Sequence, residues 1–120
     1  MPTDYSPGHA PIYLDPARAL EQIGDSTALH EMLDMLQTAL DRDIPQIFQC
    51  LAAHDVSAAN RLLHSLKGFI PIFCVDALCD HVAQVEQLSK SGSAAEVETA
   101  YALLSPKLVQ LQTEIDAHLG

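Results

Sequence analysis

Apolar residues recur every three or four positions over most of this chain, which is the spacing of one face of an α-helix. The first long stripe predicts a helix that begins after the turn at residues 24–27 and continues for more than six turns. Its apolar positions are Leu29, Leu33, Leu36, Leu40, Ile44, Ile47 and Leu51. Because Pro45 has no N–H to donate, we expect a kink or a short break near Asp43 to Pro45.

The segment from Ala58 to Phe69 predicts the next long helix. Asp55 or Ser57 can cap its N terminus. A proline in a helix interior costs about 3 kcal/mol, so we expect Pro71 to bend or end this helix.

Two more stripes follow toward the C terminus. The first closes at Ser91 and Gly92, and Ser93 with Glu96 has the spacing of a capping box at the start of the second. We expect another kink at Pro106. The apolar positions of these helices are Val75, Leu78, Val82, Val85 and Leu88, then Val97, Tyr101, Leu104, Leu108, Leu111 and Ile115.

The N-terminal part of the chain differs from the rest. Residues 1–12 are rich in proline and have no helical period, so we expect a flexible tail or linker. Asp15 and Pro16 then predict a short helix near residues 15–23 that stops at Gly24. Residues 13–120 therefore predict an all-α domain, an antiparallel up-down four-helix bundle with a short additional N-terminal helix.

Composition supports this fold and limits the partners. With 120 residues, 48% hydrophobic residues, 5% aromatic residues and no tryptophan, one helical domain is the expectation. The net charge of -10 disfavours binding to nucleic acid or to an anionic membrane. Neither a span-length apolar run nor a signal-peptide pattern occurs, so we expect a cytoplasmic protein.

The cysteines do not predict a disulfide framework or a metal site. Cys50, Cys74 and Cys79 are odd in number and scattered among apolar residues, which is typical of reduced core positions. Cys74, Cys79 and His81 lack the paired C-x-x-C spacing of a zinc site. We expect no metal and no cofactor in this chain.

His64 is the candidate functional residue. At about 100° per residue, an apolar stripe lies opposite it, formed by Ala59, Leu62, Leu66, Phe69 and Phe73. The imidazole is therefore predicted to face solvent. Its own side of the helix carries Ser57, Asn60, Arg61, Lys67, Gly68 and Pro71. Residues 56–75 contain no Asp or Glu, which suggests a surface suited to an anion.

The neighbours of His64 favour one kind of chemistry. Lys67 follows three residues later on the same face, where its ammonium could reach a group attached to the ring. Gly68 follows one turn later, and a glycine there often marks close approach of another molecule. An exposed imidazole, open space and a cation are what a phosphorylated histidine needs.

The run His64-Ser-Leu-Lys67-Gly68 resembles the H-x-L-K-G signature of histidine-containing phosphotransfer (HPt) domains of bacterial phosphorelays. The segments Asp15–Gly24 and Val85-Glu86-Gln-Leu88 are similar to that family as well. The chain departs from it at Phe69–Cys74, where many members have small residues and a second glycine.

This resemblance implies that His64 accepts a phosphoryl group from an aspartyl phosphate and passes it to another receiver domain. Lys67 would stabilise the phosphoryl oxygens and Gly68 would give access. Response regulator receiver domains and a hybrid sensor histidine kinase are the implied partners, with Mg²⁺ held by the receiver. The chain would be a phosphoryl carrier without kinase activity, either free-standing or the C-terminal domain of a hybrid kinase. Partner contacts are assigned to Ser57, Asn60, Arg61 and Pro71.

Other interpretations of the same residues remain. The bundle could be a helical interaction or dimerisation module without phosphate chemistry, with His64 an ordinary surface histidine, Lys67 a solvated charge and Gly68 a helix stop. Kinase dimerisation bundles usually place an acidic residue soon after their histidine, whereas Ser65 and Leu66 follow here. Four helices in one chain need no second copy, so we expect a monomer.

Overall fold

A computed structural model describes residues 11–120. The tail expected at residues 1–12 therefore lies outside the described residues except for its last two. Within residues 11–120, five α-helices and one 3-10 turn follow one another. They are α1 (Pro16–Ile23), α2 (Ser26–Ala52), α3 (Val56–Phe69), the 3-10 turn (Ile70–Ile72), α4 (Asp76–Leu88) and α5 (Ala94–Leu119).

The helix ends are formed by the capping residues that the sequence indicated. The Asp15 carboxylate accepts from the N–H of Arg18, and Gly24 ends α1 with a φ of 81°, in the left-handed region that glycine adopts easily. Asp55 caps α3 by accepting from Ala58 N–H. The capping box predicted at the start of α5 is present.

The two prolines do not break their helices, contrary to the short break considered at Pro45. α2 continues through Pro45 and α5 continues through Pro106. Both prolines are exposed, and so are Asp41 and Ala102, whose carbonyl groups lose their helical partner. Water can bond those carbonyls, so the missing N–H costs less than it would in a core.

The long helices form the predicted antiparallel bundle. α2 packs against α3 and α5, and α4 packs against the same two helices. The connections between consecutive helices are short, so neighbours run in opposite directions. The apolar stripes meet in one continuous core, in which residues such as Leu33, Leu66, Leu78 and Leu104 have almost no exposed surface. The all-α bundle predicted from the sequence is confirmed.

The buried side of α3 is wider than the stripe predicted. Ala59 and Leu66 are buried, but Leu63, which the stripe did not include, is fully buried as well. Leu62 and Phe69 are half-buried against the core. α3 lies between α2 and α4, so it needs apolar residues over a broader arc than contact with one neighbour requires.

The segment before α1 is held at two places. Its backbone bonds to the chain after the 3-10 turn, with Asp15 N–H donating to Phe73 O at 2.7 Å and Val75 N–H donating to Tyr13 O at 2.9 Å. On the other side it contacts Glu114 of α5. This segment therefore ties α5 to the chain that follows α3.

The remaining sequence expectations concern cysteines, metals and membranes. All three cysteines are free thiols, and burial raises the pKa of the Cys74 thiol far above its usual range. Within residues 11–120, no group of three His, Cys, Asp or Glu side chains is placed to hold a metal ion. In the same part of the chain, no helix combines the length and apolarity needed to cross a bilayer.

Candidate functional site

His64 projects from the middle of α3, and 70% of its side chain is exposed. Gly68 lies one turn further on, inside the helix, which ends with Ile70 as its C-cap. Gly68 is therefore not the helix stop. A Cβ added there would meet no atom within 4 Å. Nothing within the described residues requires glycine at this position, so its effect is to leave open space beside the imidazole.

The bundle brings a buried carboxylate from α4 to the imidazole. Glu86 Oε2 lies 3.5 Å from Nδ1 of His64, although only 1% of the Glu86 side chain is exposed. Glu86 lies in one of the segments that resemble the family, and no role is predicted for it from the sequence. Residues 56–75 contain no Asp or Glu, but the fold places the Glu86 carboxylate beside His64. The surface around His64 is therefore not free of acidic groups.

Glu86 is the centre of a polar cluster that links α3 to the end of α4. Lys67 Nζ lies 3.3 Å from its Oε1, and Lys90 Nζ lies 3.7 Å from its Oε2. Asn60 Nδ2 donates to the same Oε2 at 3.2 Å. We call Asn60, His64, Lys67, Glu86 and Lys90 the Glu86 cluster. It joins the histidine to two cations through one carboxylate.

The Glu86 carboxylate is ionised at neutral pH. Burial by itself favours the protonated acid, but hydrogen bonds from Lys67 and Asn60 and the charges of Lys67 and Lys90 outweigh it. The pKa of Glu86 is therefore lowered from its usual value. An ionised carboxylate can accept but cannot donate a hydrogen bond, so the group facing Nδ1 is an acceptor.

A family model described as the Hpt domain matches residues 31–119. The chain belongs to the Hpt domain family. The match contains α3, α4 and every residue of the Glu86 cluster, and it confirms the resemblance that the His64 motif indicated. Hpt domains carry phosphoryl groups by histidine phosphotransfer in phosphorelays, with receiver domains as partners. Searches of curated proteins and of solved structures give no match.

The other residues predicted for the site of this Hpt domain occupy different places. Asn60 is half-buried, and its amide also donates to Ser89 Oγ at 2.8 Å, so this side chain is engaged within the bundle. Arg61 and Ser57 are both exposed, and Arg61 donates to Ser57 Oγ at 3.2 Å. They form a polar surface on α3 on the N-terminal side of His64.

The segment Phe69–Cys74, where the Hpt motif is unusual, packs mostly inward. Phe69 and Phe73 meet edge to face with ring centroids 5.2 Å apart, and Ile70 is fully buried. Pro71 lies in the 3-10 turn and is half-buried. Because α3 ends at Phe69, the α-helical count of 100° per residue stops before Pro71, and the assignment of Pro71 to the partner surface stays a prediction.

A groove runs between α2 and α3 and includes Ser65, the residue that follows His64. It has a volume of about 610 Å³ and is lined from α3 by Ser65, Leu66 and Phe69. Met35 and Arg42 line it from α2, and 62% of the Met35 surface is exposed. The groove thus presents apolar surface together with Arg42, whose guanidinium pairs with Asp43 in the same groove.

Proposed function

We propose that this Hpt domain accepts a phosphoryl group on Nε2 of His64 from the aspartyl phosphate of one receiver domain and passes it to an aspartate of another. The observation that carries the proposal is an exposed imidazole whose Nδ1 faces an ionised, buried carboxylate. Such an acceptor favours the tautomer with the proton on Nδ1. Nε2 then has the free electron pair, on a side chain that is 70% exposed.

The transfer proceeds by exchange of one bond to phosphorus for another. The electron pair of Nε2 attacks phosphorus while the aspartyl oxygen leaves with the electrons of its bond to phosphorus. The proton on Nδ1 stays in place, so the phosphorylated ring is cationic and faces Glu86. Electrostatic stabilisation of this ring by a fixed carboxylate requires no reorganisation during the reaction.

The other parts of the site have complementary roles. The Lys67 ammonium would stabilise the transferring phosphoryl oxygens, and the open surface at Gly68 would let the receiver approach the ring. The receiver would supply Mg²⁺ and its own carboxylates. The chain contains no G-x-x-x-x-G-K-[ST] sequence for nucleotide phosphates, which supports a carrier without kinase activity of its own.

We place the receiver domain over His64, with the groove between α2 and α3 as part of the contact. Met35 and Phe69 offer apolar surface there, and the Arg42 side chain is 64% exposed while it pairs with Asp43 at 2.8 Å. A cytoplasmic monomer that receives phosphate from a hybrid sensor histidine kinase fits this arrangement. The bundle core is filled by side chains of this one chain, which supports the monomer.

The test is to find where phosphate is attached. The protein is incubated with a phosphorylated receiver domain and Mg²⁺, and the product is analysed for acid-labile, base-stable phosphate and mapped by mass spectrometry. We expect label on the peptide that contains His64. Label confined to another histidine, or no label with several receivers, would refute the proposal.

Lys67→Ala is expected to slow phosphoryl transfer by about 10- to 100-fold, because it removes a cation that stabilises charge in the transition state. The domain should remain folded, since Lys67 is 40% exposed and Glu86 keeps Asn60 and Lys90. Rapid-quench transfer assays measure the rate, and circular dichroism checks the fold. Lys107→Ala, on α5, is the matched control. An unchanged rate in Lys67→Ala would remove Lys67 from the site.

A further inference from the structure

Two lysine ammonium groups approach the single negative charge of the Glu86 carboxylate. Lys67 approaches Oε1 and Lys90 approaches Oε2, at 3.3 and 3.7 Å. The carboxylate is 1% exposed, whereas the side chains of Lys67 and Lys90 are 40% and 48% exposed. Both lysines can therefore move toward solvent or toward another charge, while Glu86 cannot.

The proposed function creates competition for Lys67. In the unphosphorylated protein its ammonium is paired with Glu86, yet the same ammonium is needed by a phosphoryl group on His64. Withdrawing the partner of a buried carboxylate is strongly unfavourable unless another donor replaces it. Asn60 keeps its hydrogen bond to Oε2, and the cationic ring also faces Oε2, so Oε1 is the oxygen that loses its partner when Lys67 leaves.

We propose that phosphorylation of His64 exchanges the partners of Glu86: Lys67 turns to the phosphoryl oxygens, and Lys90 closes on the carboxylate that Lys67 leaves. This inference rests on the proposed function and adds Lys90 as a positioning residue that acts through Glu86. The added phosphoryl group brings a charge of about -1.5 to -2. The second lysine keeps the buried carboxylate neutralised while the first lysine meets that charge.

The surroundings of Lys90 suit such a movement. It lies four residues after Glu86, in the turn that follows α4, and its Nζ is 3.7 Å from Glu86 Oε2. A polar hollow of about 400 Å³, lined by Ser57, Asn60, Ser89 and Lys90 among others, leaves room for the side chain. The backbone that carries it is held by hydrogen bonds, since Lys90 N–H donates to Gln87 O at 3.2 Å and Gly92 N–H donates to Leu88 O at 2.7 Å.

The experiment is a double-mutant cycle with phosphoramidate as the phosphoryl donor, so that no receiver contact enters the result. Phosphorylation of His64 is followed by ³¹P NMR in the wild type, Lys90→Met, Glu86→Gln and the double variant. We expect Lys90→Met to slow phosphorylation by about three- to tenfold, and Lys90→Arg to restore it to within about twofold. Lys107→Met serves as the matched control and should leave the rate unchanged.

The cycle separates a role through Glu86 from a direct one. With Glu86→Gln there is no buried charge to neutralise, so adding Lys90→Met should have no further effect. An equal effect of Lys90→Met in both backgrounds would mean that Lys90 contacts the phosphate directly, which overturns the inference. An unchanged rate in Lys90→Met also overturns it. Failure of the wild-type protein to become phosphorylated on His64 would instead count against the proposed function.

Discussion

His64→Gln is expected to reduce phosphoryl acceptance to the detection limit, a loss on the order of a thousandfold or more. The variant removes the nucleophilic ring nitrogen but keeps a polar side chain of moderate size. Lys67, Gly68 and Glu86 remain, yet none of them supplies an electron pair in the position of Nε2. The loss should therefore be complete even though most of the site is intact.

The measurement is transfer from a phosphorylated receiver, read as acid-labile protein phosphate. His30→Gln is the matched control, because His30 is an exposed histidine on α2. Both variants should unfold within about 0.5 kcal/mol of the wild type, as expected for exposed positions. Transfer to His64→Gln at the wild-type rate would refute the assignment of His64 as the phosphoacceptor.

Glu114→Ala is expected to lower the free energy of unfolding by about 2 to 4 kcal/mol. The Glu114 carboxylate, only 3% exposed, accepts from the backbone N–H groups of Ile12, Tyr13 and Leu14 at 3.0, 3.0 and 2.9 Å. Gln110 Nε2 donates to it as well, at 3.0 Å. Removing the carboxylate leaves these donors without a partner and frees the segment before α1.

Urea unfolding followed by circular dichroism measures this loss. Glu98→Ala, at an exposed position of the same helix, is the matched control and should change stability by less than about 0.5 kcal/mol. Hydrogen exchange should also quicken at Val75, whose N–H donates to Tyr13 O. Equal stabilities of the two variants would contradict the role of Glu114.

The stabilisation of the folded state by Glu114 decreases as the pH falls. Burial favours its protonated form, but the N–H donors of Leu14, Gln110, Ile12 and Tyr13 outweigh burial and lower its pKa from the ordinary value of 4.5. A lowered folded pKa means that the stabilisation is fully present above pH 4.5 and is lost as the pH falls through the folded pKa. The difference between wild type and Glu114→Ala should therefore shrink in acid.

The helices and part of the site could be predicted because they depend on residues that are close along the chain. Asp15 and Gly24 bound α1, and the Ser93–Glu96 capping box begins α5, through contacts within one turn. His64, Lys67 and Gly68 likewise share one turn of α3. Because the geometry within one helical turn follows from the local sequence, the motif and the exposure of His64 could be predicted before the fold was known.

The effect of the prolines could not be read in the same way. A proline costs a helix less when the carbonyl that it frees faces water, which can take the place of the missing N–H donor. At Pro45 and Pro106 those carbonyls belong to the exposed residues Asp41 and Ala102. Which side of each helix meets solvent depends on the packing of the whole bundle.

The sequence by itself determined the helical bundle, the exposed histidine and the lysine and glycine beside it. Only the tertiary structure decided that Glu86 faces Nδ1 of His64, that Lys67 and Lys90 share this carboxylate, and that Glu114 holds the segment before α1. The contacts of Glu86 with α3 and of Glu114 with the N-terminal segment join elements far apart along the chain. No helical period relates such residues. Only the packing of the helices and of the N-terminal segment brings these carboxylates to their partners.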